Sequence, residues 1–168
     1  MSRALAPAGA HRLAEGGPGD LDAVMAVMEA AFDPQYGEAW TRSQCAGILG
    51  LPGVWLVLAH GACGPLGFAL SRVIMDEAEL LLLAVLPESR GRGIGGALLE
   101  AVGHQARTRG AVKLHLEMRD DNPAARLYAA AGFSEVGRRP RYYQGRDGRR
   151  RDALTLIRLL DAPRAQEG

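Results

Sequence analysis

The feature of this sequence that most constrains its fold is a glycine-rich loop between an apolar strand and an amphipathic helix. Residues 80–85 form an unbroken apolar run of strand length, and the run stops at Pro87, which cannot continue a sheet ladder. From Ile94 to Gln105, apolar residues recur every three or four positions, which predicts a helix that ends near Gly110. A strand, a loop and a helix therefore follow one another directly.

The loop between these elements, residues 90–96, reads Arg-Gly-Arg-Gly-Ile-Gly-Gly. Glycine residues let backbone N–H groups turn toward one point, and the loop opens on a helix N-terminus that carries roughly half a positive charge. Both properties favour an anion. We expect the loop to hold a phosphate group, most simply a pyrophosphate.

Two kinds of phosphate-binding loop compete for this segment. Gly91, Gly93 and Gly96 satisfy the dinucleotide pattern G-x-G-x-x-G, and Glu117 ends the next strand, where a ribose-binding acid would sit. In the dinucleotide fold, however, the first glycine makes the tight turn at the strand end, whereas residues 86–90 intervene here. The sequence also has no Lys-Ser or Lys-Thr pair for a Walker loop. Both readings therefore fit poorly.

The loop instead resembles the acetyl-CoA signature of the GNAT family of N-acetyltransferases, [QR]-x-x-G-x-[GA]. Arg90, Gly93 and Gly95 fill this pattern after a strand that ends in Ala84 and Val85. The resemblance implies acetyl-CoA as co-substrate. It also implies that the backbone at the strand end holds the pantetheine arm and the acetyl carbonyl, while the loop holds the pyrophosphate.

The stretch 117–133 resembles a second motif of the same family, N-x-x-A-x-x-L-Y-x-x-x-G-F. Within the family the match is to the RimI-like group, which acetylates the N-terminal alanine of a ribosomal protein. Three further stretches support that branch: 76–79, 116–119 and 138–143. The family usually has one more residue between the Asn and the Tyr, so either Asn122 or Asp121 fills the Asn position.

Transfer of an acetyl group to an amine needs a deprotonated amine, a polarised carbonyl and a proton for the leaving thiolate. By resemblance, Glu117 accepts the amine proton through water and Tyr128 protonates the sulfur. The implied cofactor-binding residues are Leu83, Ala84, Val85, Arg90, Gly91, Arg92, Gly93, Ile94, Gly95, Gly96 and Asn122. The four histidines and two cysteines show no metal-ligand spacing, so no metal is expected.

Length and composition predict one domain. The chain has 168 residues and a net charge of +1, which indicates neither nucleic-acid nor membrane binding. Two cysteines without a disulfide framework, and no apolar run of about 20 residues, favour a cytoplasmic protein. We expect an N-acetyltransferase domain over residues 10–160, with flexible tails at 1–9 and 161–168.

Periodicity and turn signals predict the element order β-α-α-β-β-β-α-β-α-β-β. This order indicates an α/β fold of the α+β kind, with a mixed, mostly antiparallel sheet and helices on both faces, as the GNAT resemblance also implies. Asp20, Thr41 and Asn122 are predicted to cap three helices, and a turn over residues 60–65 is predicted between the second and third strands.

Two sets of residues are expected beside the acceptor site, which the resemblance places near the segment between the first two helices. The aromatic candidates are Phe32, Tyr36 and Trp40, and the acidic ones are Glu38, Asp76, Glu77 and Glu79. The acids would attract a cationic N-terminus, although solvated turn positions explain them almost as well. Trp40 fits a core or helix-start anchor equally well.

Three functions stay open at this point. The first is acetylation of a protein α-amine, with a ribosomal protein that begins with alanine as the partner. The second is acetylation of a lysine or a small-molecule amine in the same fold. The third is an acyl-CoA-binding sensor without catalysis, which would keep the glycine loop but has no need of Glu117 or Tyr128.

Overall fold

The computed structural model describes residues 10–161 as seven strands and four helices in the predicted order. The strands are β1 (Arg12–Gly16), β2 (Val54–Gly61), β3 (Gly64–Ile74), β4 (Glu77–Val85), β5 (Lys113–Arg119), β6 (Ser134–Gln144) and β7 (Arg150–Leu159). The helices are α1 (Leu21–Ala31), α2 (Arg42–Ile48), α3 (Ile94–Thr108) and α4 (Ala125–Ala130). The tails predicted at 1–9 and 161–168 lie outside the described residues, except for Asp161. None of the helices described between residues 10 and 161 is long and apolar enough to cross a membrane.

All seven strands belong to one sheet with the order β1-β2-β3-β4-β5-β7-β6. Its neighbouring strands are antiparallel except for β4 and β5, which run parallel. One face buries apolar residues of α3 together with Tyr128 of α4, and the other buries apolar residues of α1 and α2. The predicted fold class, a mostly antiparallel mixed sheet between helices, is therefore confirmed.

The central strand β4 is irregular. Leu70 of β3 pairs with Leu82, whereas Ser71 pairs with Leu80, so that Leu81 is an extra residue on β4. An extra residue of this kind is a β-bulge, which bends its strand and changes the face on which the following side chains lie. The continuous apolar run in the sequence gave no sign of it.

The bulge divides the side chains of β4 between the two cores. Ala78 and Leu80, before the bulge, pack with α3, whereas Leu82 and Ala84, after it, pack with α1. A strand whose two faces are both covered needs apolar residues at nearly every position. The unbroken apolar run is thereby explained.

The parallel strands β4 and β5 separate soon after they start. Among the described residues their pairing is confined to Glu77–Glu79 opposite Lys113–His115. Beyond this point β5 continues beside β7, and β4 continues beside β3. The ends of β4 and β5 therefore form the two sides of an opening in the middle of the sheet.

Local signals at the helix starts were partly right. Thr41 caps α2 in a capping box, because its side chain accepts a hydrogen bond from the Gln44 backbone N–H at 3.2 Å and the Gln44 side chain accepts one from Thr41 at 2.8 Å. Asp20 occupies the N-cap position of α1 as predicted, but its carboxylate accepts from the Gly17 backbone N–H at 2.9 Å and makes no capping bond to the helix. The turn predicted over 60–65 is also shorter, because β2 and β3 extend to Gly61 and Gly64.

Candidate active site

A cleft of about 670 Å³ occupies the opening between β4 and β5. Its walls come from the end of β4, the glycine loop, the segment after α1 and the segment that joins β5 to α4. Every predicted site residue lines this cleft except Arg92 and Glu117. The fold therefore brings together residues that the sequence separates by more than forty positions.

The glycine loop forms an open cradle at the start of α3. Gly91 and Gly93 have φ angles of 78° and 79°, in the left-handed region that favours glycine. A Cβ built at Gly91, Gly93 or Gly96 would meet no atom within 4 Å, so the space in front of the loop is free. Gly95 differs, because its Cβ would lie 2.9 Å from a methyl carbon of Leu127. Gly95 therefore lets α3 approach α4.

The two arginines of the loop have different positions. Arg90 lines the cleft, and its guanidinium donates to the carbonyl oxygens of Val85 at 3.3 Å and Ala31 at 3.0 Å. These bonds join the loop to β4 and to the end of α1. A guanidinium has five N–H donors, so Arg90 keeps donors for an anion in the cleft. Arg92 is exposed and does not line the cleft.

Replacing Gly93 by valine is expected to weaken acetyl-CoA binding at least tenfold, or about 1.4 kcal/mol. A β-branched residue strongly disfavours the left-handed conformation, so the loop must change the direction of its N–H groups. Calorimetric titration of the folded variant measures the effect. Gly148, with φ 78° and free space around it in the β6–β7 hairpin, gives the matched control Gly148→Val. Equal affinities of Gly93→Val and Gly148→Val would refute an anion site at the loop.

Tyr128 of α4 lies on the floor of the cleft. Its side chain is buried, with 7% of its surface exposed, and its ring packs edge-on against Phe133 with centroids 5.8 Å apart. Burial, followed by the negative charge of Glu38, raises the pKa of Tyr128 to about 12. The hydroxyl group therefore keeps its proton at neutral pH, as a general acid must before the reaction.

Glu117 lies beside the cleft and outside its lining. The side chain is one-third exposed, at 33%, and its nearest cation is the guanidinium of Arg139 at 4.0 Å. Tyr143 on β6 lies close by. Burial, as the largest cause, raises the pKa of Tyr143 to about 12, and the negative charges of Glu117 and Glu38 contribute to this rise. Glu117 thus faces the hairpin of β6 and β7.

Arg119 is a cleft residue that the sequence analysis missed. Its side chain is 5% exposed and forms ion pairs with Glu38, at 2.6 Å, and with Asp121. Its guanidinium also lies over the ring of Tyr36, 3.5 Å from the centroid. The sequence of β5 did contain a signal for the position of Arg119. Arg119 is two residues after Glu117, so the alternation of side chains along a strand places both on the same face.

Asp121 and Asn122 both line the cleft but make different contacts. Burial alone would raise the pKa of Asp121, but hydrogen bonds from Arg119 and Arg151 outweigh it and hold this pKa below its ordinary value. The Asn122 side chain accepts a hydrogen bond from the Ala124 backbone N–H at 2.9 Å. Asn122 therefore stabilises the turn before α4, which begins at Ala125 with Ala124 at its N-cap, so the predicted cap at Asn122 is wrong.

The residues expected on the acceptor side lie in three different places. Phe32, Tyr36 and Glu38 line the cleft, whereas Trp40 packs against the core that α1 and α2 share. The acids Asp76, Glu77 and Glu79 lie at the other end of β4, around a separate pocket of about 340 Å³. Six residues of strand, roughly 20 Å, separate Glu79 from the cleft end of β4.

Cys45 of α2 lies outside the lining of the cleft. Cys45 is buried in the α1–α2 core, and burial raises the pKa of its thiol. A raised pKa disfavours the thiolate, which is the nucleophilic form. Within residues 10–161, no three His, Cys, Asp or Glu side chains converge as a metal site would require.

Comparison with known proteins agrees with this geometry. Two [ribosomal protein bS18]-alanine N-acetyltransferases are similar in sequence. The one from Haemophilus influenzae is 38% identical over 95 residues, or 56% of this chain and 65% of that protein. The one from Escherichia coli K12 is 42% identical over 90 residues, or 53% of this chain and 60% of that protein. The matched part thus spans less than two thirds of these curated relatives.

The similarity of structure extends further along the chain. The crystal structure of the ribosomal-protein-S18-alanine N-acetyltransferase from Escherichia coli superposes with a TM-score of 0.81 and 28% identity, over 95% of this chain and 99% of that one. The sequence profile of the Acetyltransferase (GNAT) family matches residues 21–133, which is more than half of the chain. The cleft, the sheet that opens to form it and these matches lead to one conclusion: the chain belongs to the Acetyltransferase (GNAT) family.

Proposed function

We propose that this protein is an acetyl-CoA-dependent N-acetyltransferase whose acceptor is the N-terminal α-amine of a ribosomal protein that begins with alanine. The observation that carries the proposal is Tyr128, a buried and protonated hydroxyl that lines the same cleft as an open glycine cradle. The printed names of the two bacterial relatives and of the similar crystal structure support the choice of acceptor.

The residues of the cleft fit acetyl-CoA. Open space in front of Gly91, Gly93 and Gly96, at the N-terminus of a fifteen-residue helix, suits a pyrophosphate. The end of β4, at Leu83, Ala84 and Val85, lines the same cleft on the side where β5 has separated from it, so its backbone is available to a pantetheine arm. Acetyl-CoA supplies the thioester whose acetyl group an amine accepts with loss of a thiol.

Tyr128 supplies the proton that the departing sulfur needs. A pKa of about 12 lies above the value of about 8.5 of an ordinary thiol, which makes proton donation unfavourable in water. The sulfur would leave in the same buried cleft, where loss of solvent raises the pKa of a thiol as it raises that of the tyrosine. The two pKa values are thereby brought closer, and the proton moves over a short path.

Glu117 accepts the proton of the acceptor amine through a water molecule. Its carboxylate lies beside the cleft near Tyr143 and is partly exposed, so solvent reaches it. A base outside the cleft lining needs an intervening water, which agrees with this indirect role. Arg139, at 4.0 Å, is the nearest cation and keeps the carboxylate oriented toward the hairpin.

An acyl-CoA sensor has no use for this arrangement. Sensing requires a cradle for the ligand, but it requires neither a buried hydroxyl group in the cleft nor a carboxylate at its entrance. The chain has both, on α4 and β5. Acetylation of a lysine or of a small-molecule amine would use the same groups. Which amine the protein acetylates must therefore be measured by offering it different acceptors.

The direct test is to incubate the protein with acetyl-CoA and a peptide that begins with alanine, and to measure acetylation by mass spectrometry. We expect acetylation at the α-amine, and we expect Glu117→Gln to lower kcat about 100-fold, because loss of a general base typically costs that much. Glu135→Gln, an exposed carboxylate on β6, is the matched control. An inactive wild-type protein, or an unaffected kcat in Glu117→Gln, would contradict the proposal.

A further inference from the structure

We propose that Glu38 is a specificity-determining residue of this site: its carboxylate receives the protonated amine of the acceptor, and Arg119 holds it in position for that purpose. The inference rests on the proposed function, since it concerns how the acceptor is bound. It adds a second carboxylate to the acceptor side, where the sequence motifs supply only Glu117.

Glu38 occupies the right place for this role. It lines the cleft, and of the four acids expected near the acceptor it alone does so. Its charge acts on both Tyr128 and Tyr143, so the carboxylate lies within reach of both tyrosines. Glu117, by contrast, lies outside the cleft lining. Of these two carboxylates, Glu38 is the one that lines the same cleft as Tyr128.

Arg119 fixes the position of Glu38. Its guanidinium donates to one carboxylate oxygen of Glu38 at 2.6 Å and to Asp121, while its face covers the ring of Tyr36. Arg119 is the last residue of β5, and its side chain is 95% buried, so the support is rigid. A carboxylate has about four acceptor sites, and Arg119 uses one oxygen of Glu38, which leaves the other free for a ligand.

The segment that carries Glu38 is attached to the hairpin of β6 and β7 as well. The Gln35 side chain donates to Asp147 at 2.9 Å, and the Gln35 carbonyl oxygen accepts from the Arg146 backbone N–H at 3.1 Å. Arg151 completes the connection through ion pairs with Asp147, at 2.7 Å, and Asp121, at 2.6 Å. Binding therefore needs little further ordering of Glu38, which favours affinity.

The charges around Glu38 suit a cation. Arg119 is shared between Glu38 and Asp121, and Arg151 between Asp121 and Asp147, whose charge Arg149 also offsets. Among the described residues, Glu38 therefore shares its ion-pair partner with another carboxylate. A protonated α-amine brings one positive charge and three N–H donors, and it would meet the free oxygen of Glu38 before it gives its proton to Glu117.

The experiment compares two acceptors in the variant Glu38→Gln. The first is the alanine peptide, whose α-amine is mostly protonated at neutral pH; the second has an aminooxy group in its place, which is uncharged. A hydrogen bond to a charged group is worth a factor of roughly 10 to 100 in binding. We therefore expect Glu38→Gln to raise KM for the alanine peptide by that factor, and to leave KM for the aminooxy peptide and for acetyl-CoA unchanged.

Two further variants complete the design. Glu77→Gln removes a carboxylate at the far end of β4 and is expected to leave KM unchanged for both peptides. Arg119→Lys, which keeps the positive charge, is expected to raise KM for the alanine peptide less than Arg119→Met. Circular dichroism and thermal unfolding check that each variant is folded.

The outcomes separate this inference from the proposed function. If the wild-type protein acetylates neither acceptor, the proposed function is wrong. If it is active but Glu38→Gln leaves KM for the alanine peptide unchanged, the role of Glu38 is refuted while the function stands. An equal rise of KM for both acceptors would also refute it, because it would mean that Glu38 only supports the shape of the cleft.

Discussion

Tyr128→Phe is expected to lower kcat about 100-fold while acetyl-CoA affinity stays within about twofold of wild type. The ring is buried against Phe133, and phenylalanine keeps that contact, so the variant removes the hydroxyl group without leaving a cavity. The hydroxyl group matters only as the thiolate departs, which is why the loss falls on kcat. Steady-state kinetics together with calorimetric titration of acetyl-CoA measures both quantities.

The control for this variant is Tyr142→Phe, which removes the hydroxyl of a tyrosine that is 55% exposed on β6. It is expected to keep wild-type kcat. If Tyr128→Phe also retains most of its kcat, Tyr128 is a packing residue and another group supplies the proton. A lowered acetyl-CoA affinity would instead mean that its hydroxyl group binds the co-substrate.

The raised pKa of Tyr128 gives the pH dependence a definite sign. The folded protein holds this proton up to a pKa of about 12, whereas an unfolded chain releases it near the ordinary value of about 10. Between these values the unfolded state binds fewer protons, so stability decreases as pH rises through that window. Below pH 10 the group stays protonated, and a fall in kcat there would have to come from another group.

A free α-amine is expected to be acetylated at least 100-fold faster than a lysine in the same peptide. At pH 7, deprotonating an α-amine of pKa about 8 costs about 1.4 kcal/mol, and deprotonating a lysine of pKa about 10.4 costs about 4.6 kcal/mol. The difference of about 3.2 kcal/mol corresponds to roughly 200-fold in rate. A single carboxylate that acts through water is a modest base and suits the easier amine.

The measurement uses two peptides of one sequence, each with an internal lysine. In one the N-terminus is free, and in the other it is blocked by acetylation. Initial rates are read by mass spectrometry, and fragmentation assigns the modified amine. Blocked and free peptides acetylated at equal rates would replace the α-amine with a lysine as the acceptor.

The sequence predicted well those features of the protein that depend on one short segment of the chain. The element order, the glycine loop and the residues around Tyr128 depend on periodicity, on turn residues and on family motifs. Each periodic pattern, turn or motif lies within one short, continuous stretch of the chain. Within β5, Leu114 and Leu116 lie in the core while Lys113 and His115 lie on the opposite face, as the alternation of apolar and polar residues in its sequence indicates.

Contacts between distant, irregular segments escaped the sequence. Arg119 and Glu38 are 81 positions apart, and Glu38 follows a short turn that has no repeating pattern. The three acids at the start of β4 were placed near the acceptor by the family resemblance, although the sequence puts them at the end of the strand opposite the glycine loop.

The separation of β4 and β5, next to the bulge at Leu81, also affects the stability of the protein. If the two strands stayed paired along their whole length, each added ladder hydrogen bond would contribute about 1 kcal/mol. Such a chain would fold more tightly and would have no cleft. The opening in this sheet therefore lowers the stability of the fold. Selection for a more stable variant that closes the opening would reduce the activity of this domain.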